Sequence, residues 1–253
     1  SLHAISKRIS LFLIALIAFS GFLQAQNVTI GASNYTTLKG AFDAINAGTH
    51  TGAVIVNVNL NTTETAMAVL NSSGTGAASY TSVLVRPTAN VTVSGNLGNA
   101  VIQLLGADNV TIDGLNGRSQ LTVNNTSTSV TASVIWIASA SAVNGATNNI
   151  VRNCIITGNG PTTTGFGISS SGNTSSGSVA ETANSNNTYQ GNTVRACQAG
   201  IAIAGPAGNE SGNVISNNTI GSIVAGNKLG FTGIGIAQQQ NVLVSSNTIL
   251  GVT

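Results

Sequence analysis

The sequence predicts an all-β solenoid: a single-stranded parallel β-helix with three short strands per coil and a short capping helix near its N-terminus. Three observations predict it. Four stretches repeat an apolar pair around a turn-forming asparagine: "NNIVRNCIITG" from Asn148, "NNTYQGNTVRA" from Asn186, "NVISNNTIG" from Asn213 and "NVLVSSNTILG" from Asn241. A further strand-like motif recurs between them, as "GFGI" at Gly165, "GIAI" at Gly200 and "GIGI" at Gly233. The 253 residues also carry only 8 Lys+Arg and 6 Asp+Glu. A disordered chain pairs low hydrophobicity with high charge, and this one has neither.

At the N-terminus, Lys7 and Arg8 precede an apolar run from Ile9 to Phe19, followed by "LQAQ" at Leu23 to Gln26. This order predicts a signal peptide over 1–25, cut after Ala25, and one exported domain over 26–253. The apolar run is shorter than the ~20 residues of a membrane-spanning helix. The expected location is therefore secreted or cell-surface, with no membrane partner after cleavage.

Next comes "TTLKGAFDAINAG". Leu38, Ala41, Phe42 and Ile45 stand at helical spacing, with Thr36 or Thr37 as N-cap and Gly48 as terminator. The spacing predicts a helix over about 36–47 that closes the first coil, because an open strand edge invites aggregation. No equivalent follows Ile249, and the chain reads as continuing past Thr253. The middle follows a looser repeat. "NVTVSGN" at Asn90 is aligned with "NVTIDGL" at Asn109, and "VIQL" at Val101 with "VIWI" at Val134 as third strands.

The later repeats align on Asn153, Asn192, Asn218 and Asn247. Ile150, Tyr189, Ile215 and Val244 stand three residues before these asparagines, and Ile155, Val194, Ile220 and Ile249 two residues after. The expectation is a structural Asn ladder at a sharp bend, since Asn tolerates the left-handed backbone and stacked Asn side chains hydrogen-bond. The apolar partners line the core, with coils ~4.8 Å apart. The anchors are 39, 26 and 29 residues apart, which suits a solenoid with loops of variable length. "SSSGNTSSGSVAETANSNN" reads as such a surface loop.

The pattern N-x-[IV]-x-x-N-T-[IV] … G-I-x-I resembles the right-handed parallel β-helix repeats of pectate-lyase-like proteins. "YTTLKGAFDAINAG", "NTTETAMAVL" and "GADNVTIDGLNG" are similar to the start of large surface proteins of Gram-negative bacteria that use type IX secretion. The resemblance runs from about Asn27 to the end and implies a right-handed β-helix. It leaves function open, since one fold hosts lyases, hydrolases, adhesins and stalks.

In such proteins the cleft lies along the outer face of one sheet. If the G-I-x-I strand forms it, the outward column is Gln103, Trp136, Gly167, Ala202 and Gly235. It contains no carboxylate, Lys or Arg, whereas glycoside hydrolysis needs paired carboxylates and a lyase needs a positioned base. Asp108 and Asp113 read as turn residues, and Arg86, Arg118, Arg152 and Arg195 come singly. His50 reads as a loop residue. Trp136 is the candidate for stacking on a sugar, with Gln103 beside it, unless the segment Ser139 to Asn148 folds over the indole. Cys154 and Cys197 read as two buried thiols, because their lateral offset of about 13 Å exceeds the ~7 Å limit for a disulfide. No catalytic residue, metal or cofactor is expected. The low charge argues against nucleic acid as partner. Two functional readings stay open: a non-catalytic segment, adhesin-like or structural, with extracellular glycans as candidate partners; or a polysaccharide lyase or glycoside hydrolase.

Overall fold

The computed structural model describes residues 24–31 and 34–253; the signal peptide expected over 1–25 falls almost wholly outside them. Three parallel sheets stack coil upon coil as a β-solenoid. The first sheet runs through Gln26–Ile30, Gly52–Val58, Tyr80–Pro87, Val110–Asp113, Ile150–Arg152, Thr188–Gln190, Val214–Ser216 and Leu243–Ser245. The second runs through Thr62–Glu64, Val91–Gly95, Ser119–Asn125, Ile155–Thr157, Thr193–Arg195, Thr219–Gly221 and Thr248–Leu250. The third runs through Ala68–Asn71, Ile102–Leu105, Ser133–Ala138, Phe166–Ser171, Cys197–Ala204 and Leu229–Ala237. The two "NVT" segments therefore belong to different sheets: Val91 lies in the second and Val110 in the first. The alignment of Asn90 with Asn109 is corrected accordingly.

Parallel register turns the inward side chains into columns. In the first sheet the column is Val28, Val56, Val85, Ile112, Val151, Tyr189, Ile215 and Val244. In the second it is Val93, Val123, Ile156, Val194, Ile220 and Ile249. Most of these residues are fully buried, but Val244 and Ile249 of the last coil are 43% and 48% exposed. The glycine of each G-I-x-I motif has a packing reason. A Cβ on Gly167 would lie 2.2 Å from Val194 Cγ1, and one on Gly200 would lie 2.4 Å from Ile220 Cγ2. Only a bare backbone fits where the third sheet approaches the second.

The corners decide the register. Between the first and second sheets, Asn153, Gly191, Asn217 and Ser246 adopt left-handed backbone, with φ of 57°, 65°, 57° and 55°. The next residue points inward. The Oδ1 of Asn192 accepts the Cys154 N–H, that of Asn218 the Asn192 N–H and that of Asn247 the Asn218 N–H, at 2.9–3.0 Å. Their Nδ2 groups donate to the carbonyls of Val151, Tyr189 and Ile215. Each carboxamide thus spans the corner of the preceding coil and replaces the peptide group that strand pairing would supply. Asn153 is not part of this ladder. It holds the left-handed position and Cys154 occupies the ladder position, so Val151 and Ile156 face inward rather than Ile150 and Ile155.

A second ladder, absent from the sequence reading, stands where each coil enters the first sheet. Val110 N–H donates to Asn149 Oδ1, Asn149 N–H to Asn187 Oδ1 and Asn187 N–H to Asn213 Oδ1, at 2.8–2.9 Å. The preceding residues Asn109, Asn148, Asn186 and Gly212 again have positive φ.

The capping helix α1, Leu38–Asn46, sits within the expected span. Thr37 is its N-cap, and Leu38, Ala41, Phe42 and Ile45 are fully buried. A nine-residue helix is marginal in isolation, so tertiary contacts hold it. Burying its three large apolar side chains contributes on the order of 6 kcal/mol. Buried Glu64, 26 residues away, accepts the Leu38 and Lys39 N–H groups at 2.9 and 3.0 Å, and so meets the positive end of the helix. At the other end Asn46 bonds Val69 O and Asn71 N, closing the edge of the third sheet.

Cys154 and Cys197 are free and buried. Burial pushes the Cys197 thiol up to about 12 and raises that of Cys154 as well, with Asp113 adding to the latter. Neither thiol is expected to react with a disulfide reagent at mildly alkaline pH until the chain is denatured, when two equivalents react. A fast native reaction would place a thiol at the surface. Replacing Asn218 with Leu strands the Asn192 N–H and the Tyr189 carbonyl, and is expected to lower unfolding free energy by about 3 kcal/mol in urea titration. Asn217→Gly, at the exposed left-handed position, is the control and changes stability by less than about 1 kcal/mol. Equal effects of the two would refute the ladder as the main corner restraint.

Candidate functional site

The outward column of the third sheet contains Val69, Gln103, Trp136, Ser169, Ala202 and Gly235 in direct register. Ser169, not Gly167, continues it. Gln103 and Trp136, 33 residues apart in the sequence, are therefore neighbours on successive coils. Together with Met67, Asn99, Leu105, Asn173 and Thr174 they line a pocket of about 250 Å³.

Of the two readings of Trp136, exposed stacking face or covered indole, the covered one holds. The residue is 4% exposed and packs with Ala100, Ala138, Met67 and Leu105. Its Nε1–H donates to Ser171 Oγ at 2.8 Å. The segment 172–180 lines the same pocket through Asn173 and Thr174. It folds back over the sheet through the Ser176–Ser133 hydroxyl contact at 2.9 Å and through Gly177 N–H, which donates to Ser169 Oγ at 3.0 Å. The stretch read as a surface loop therefore begins as a strand, Phe166–Ser171, with Ser169, Ser170 and Ser171 all buried.

Asn173 and Thr174 are placed from the same segment. Asn173 Nδ2 donates to Ala140 O at 2.9 Å, and its N–H approaches both carboxylate oxygens of Glu181 at 3.2–3.3 Å. Glu181 Oε2 also accepts from Ser139 Oγ. Gln103 is 4% exposed as a residue, and its carboxamide, with no hydrogen-bond partner among the described residues, lines the pocket. None of the lining side chains ionises.

The other candidates are dispersed. Asp108 Oδ1 accepts the Thr147 N–H and hydroxyl at 2.7 Å each, a connector role. Asp113 accepts from Leu115 N–H and from Asn153 Nδ2, and pairs with Arg152 Nη2 at 2.7 Å. Arg86 Nε donates to Asn57. His50 Nε2 meets Tyr35 Oη at 2.8 Å, and burial lowers its pKa. Among the described residues, no group of three or more His, Cys, Asp or Glu could hold a metal ion.

One buried carboxyl stands at the entry corner. Glu210 accepts the Asn184 N–H and Asn213 Nδ2 at 2.9 Å each. Burial raises its pKa above 4.5, although the hydrogen bonds from Asn184, Gln239 and Asn213 pull the other way. The folded state thus binds more protons than the unfolded chain between 4.5 and the raised value. The stabilisation is fully present below the ordinary value and is lost as pH rises through the raised one. The melting temperature of the native chain is expected to fall, relative to Glu210→Gln, as pH rises from 4.5 to neutrality. Parallel curves would refute this assignment.

Comparison with known proteins returns no matching family model, no similar curated protein and no similar solved structure.

Proposed function

We propose that the chain is a non-catalytic β-solenoid segment of an exported protein that displays a small glycan-binding pocket on its third sheet, as an adhesin does. The observation that carries this reading is Gln103: a largely buried residue whose carboxamide has no hydrogen-bond partner among the described residues and lines a pocket walled by Trp136. A carboxamide held at a pocket wall without a neighbour is free to pair with a ligand, and one such hydrogen bond contributes about 1 kcal/mol net. The lining sets four polar side chains, Asn99, Gln103, Asn173 and Thr174, beside the apolar Met67, Leu105 and Trp136, more polar than the usual small-molecule site and suited to a hydroxyl-rich ligand. The Lys7-Arg8 start and the apolar run to Phe19 support export. Secretion by the type IX route rests on the similarity of the "YTTLKGAFDAINAG" region alone.

The test is retention on insoluble plant, algal and bacterial polysaccharides, with reducing-end and unsaturated-uronate assays on the same samples, with and without Ca²⁺. Retention without turnover is expected, with loss in the Asn173→Ala/Thr174→Ala double variant, whose side chains are exposed. Turnover on any substrate would overturn the non-catalytic reading. Absence of retention on every polymer would overturn the glycan reading.

A further inference from the structure

We infer that the pocket takes one neutral 2-acetamido sugar unit, an N-acetylhexosamine, and rejects hexuronates; the inference rests on the glycan-binding reading above. Size sets the first limit. A pocket of about 250 Å³ lies below the ~300 Å³ lower bound of drug-sized sites, which restricts the buried part of the ligand to a single ring and its substituent.

Charge sets the second limit. The lining residues Met67, Asn99, Gln103, Leu105, Trp136, Asn173 and Thr174 offer no cation to a carboxylate. The charge adjoining the rim is that of Glu181, whose carboxylate accepts the Asn173 N–H. An anionic sugar would lose its hydration without gaining a partner, and would meet a like charge besides.

The donor set then favours an amide over a hydroxyl. Three of the seven lining side chains are carboxamides, each offering a donor and an acceptor. An acetamido group is a trans amide with its donor and its acceptor on opposite sides, so Gln103 can pair with one of them and a second lining carboxamide, Asn99 or Asn173, with the other. The acetamido methyl group suits the wall made by Met67, Leu105 and the Trp136 edge, where a sugar hydroxyl would be stranded against apolar atoms. Trp136 has too little exposed surface to act as a stacking face, so ring stacking is not what selects the ligand.

The experiment is titration calorimetry of the chain with N-acetylglucosamine, N-acetylgalactosamine, glucose, galactose and galacturonate, repeated on Gln103→Leu and on Asn173→Ala. At least one N-acetylhexosamine is expected to bind about tenfold or more tightly than its parent hexose, equivalent to about 1.4 kcal/mol, with no heat from galacturonate. Gln103→Leu is expected to abolish the preference. Should that variant not fold, the exposed-loop variant Asn173→Ala, which gives up only the bond to Ala140 O, is expected to stay folded and to weaken binding several-fold. Equal binding of hexose and N-acetylhexosamine would overturn this inference and leave the glycan reading standing. Binding of galacturonate would overturn the charge argument. No heat from any sugar would overturn the inference, and polymer retention then decides the broader reading separately.

Discussion

The hydrogen bonding of the corner peptide is the constraint from which the rest of this solenoid follows. Strand pairing satisfies backbone groups along a sheet, but at each bend the chain turns away and a buried N–H and C=O are left without neighbours. Unpaired, each costs about 1–3 kcal/mol. Here one carboxamide answers both, accepting from one residue and donating to the carbonyl three residues earlier in the preceding coil, as Asn192 does with Cys154 and Val151. The bend needs a left-handed residue, and the carboxamide must follow it at once. The doublets Asn148-Asn149, Asn186-Asn187 and Asn217-Asn218 are that requirement written in sequence.

With the corners fixed, the interior has little freedom. Tyr189 enters a column otherwise made of Val and Ile, and the third sheet places Ser170 inward in register with Ile137 and Ile203. The small residue suits the large one, and both hydroxyls are buried with no hydrogen-bond partner among the described residues. The burial of Tyr189 is felt in its phenol, whose pKa it raises. Interior density of this kind tolerates few changes of volume, which is why the variable part of each coil must lie outside the columns.

What could be read in advance was what repeats. The G-I-x-I strand, the cap at Leu38, Phe42 and Ile45, the asparagines at 192, 218 and 247, and the two thiols all follow from local period or fixed offset. The alignment failed at Asn153 because "RNC" offers one asparagine where its neighbours have two residues doing separate jobs, a left-handed turn and an inward amide. The entry-corner ladder was visible as doublets, but matching on a single asparagine per repeat discarded it. Glu64 at the helix N-terminus carried no local signal, since its partners lie 26 residues away. Trp136 and Gln103 were placed on the right face, yet the pocket beside them is completed by a serine-rich segment without any period.

That segment explains why the pocket lies where it does. The bends between the first and second sheets shrink to two residues in the later coils, such as Gly191-Asn192 and Asn217-Asn218, and both positions are committed to the ladder. The connection leaving the third sheet has no such limit, and between Ser171 and Thr188 it grows long enough to return across the outer face. The insertion that makes the repeat spacing irregular is thus the one that carries Asn173 and Thr174 to Gln103. Regular coils supply the rigid wall, and the irregular connection supplies what the wall lacks: depth and a second side. In a chain with so few charges, a pocket assembled this way is lined by neutral side chains, and it offers a ligand amide pairing and excluded water rather than ion pairing.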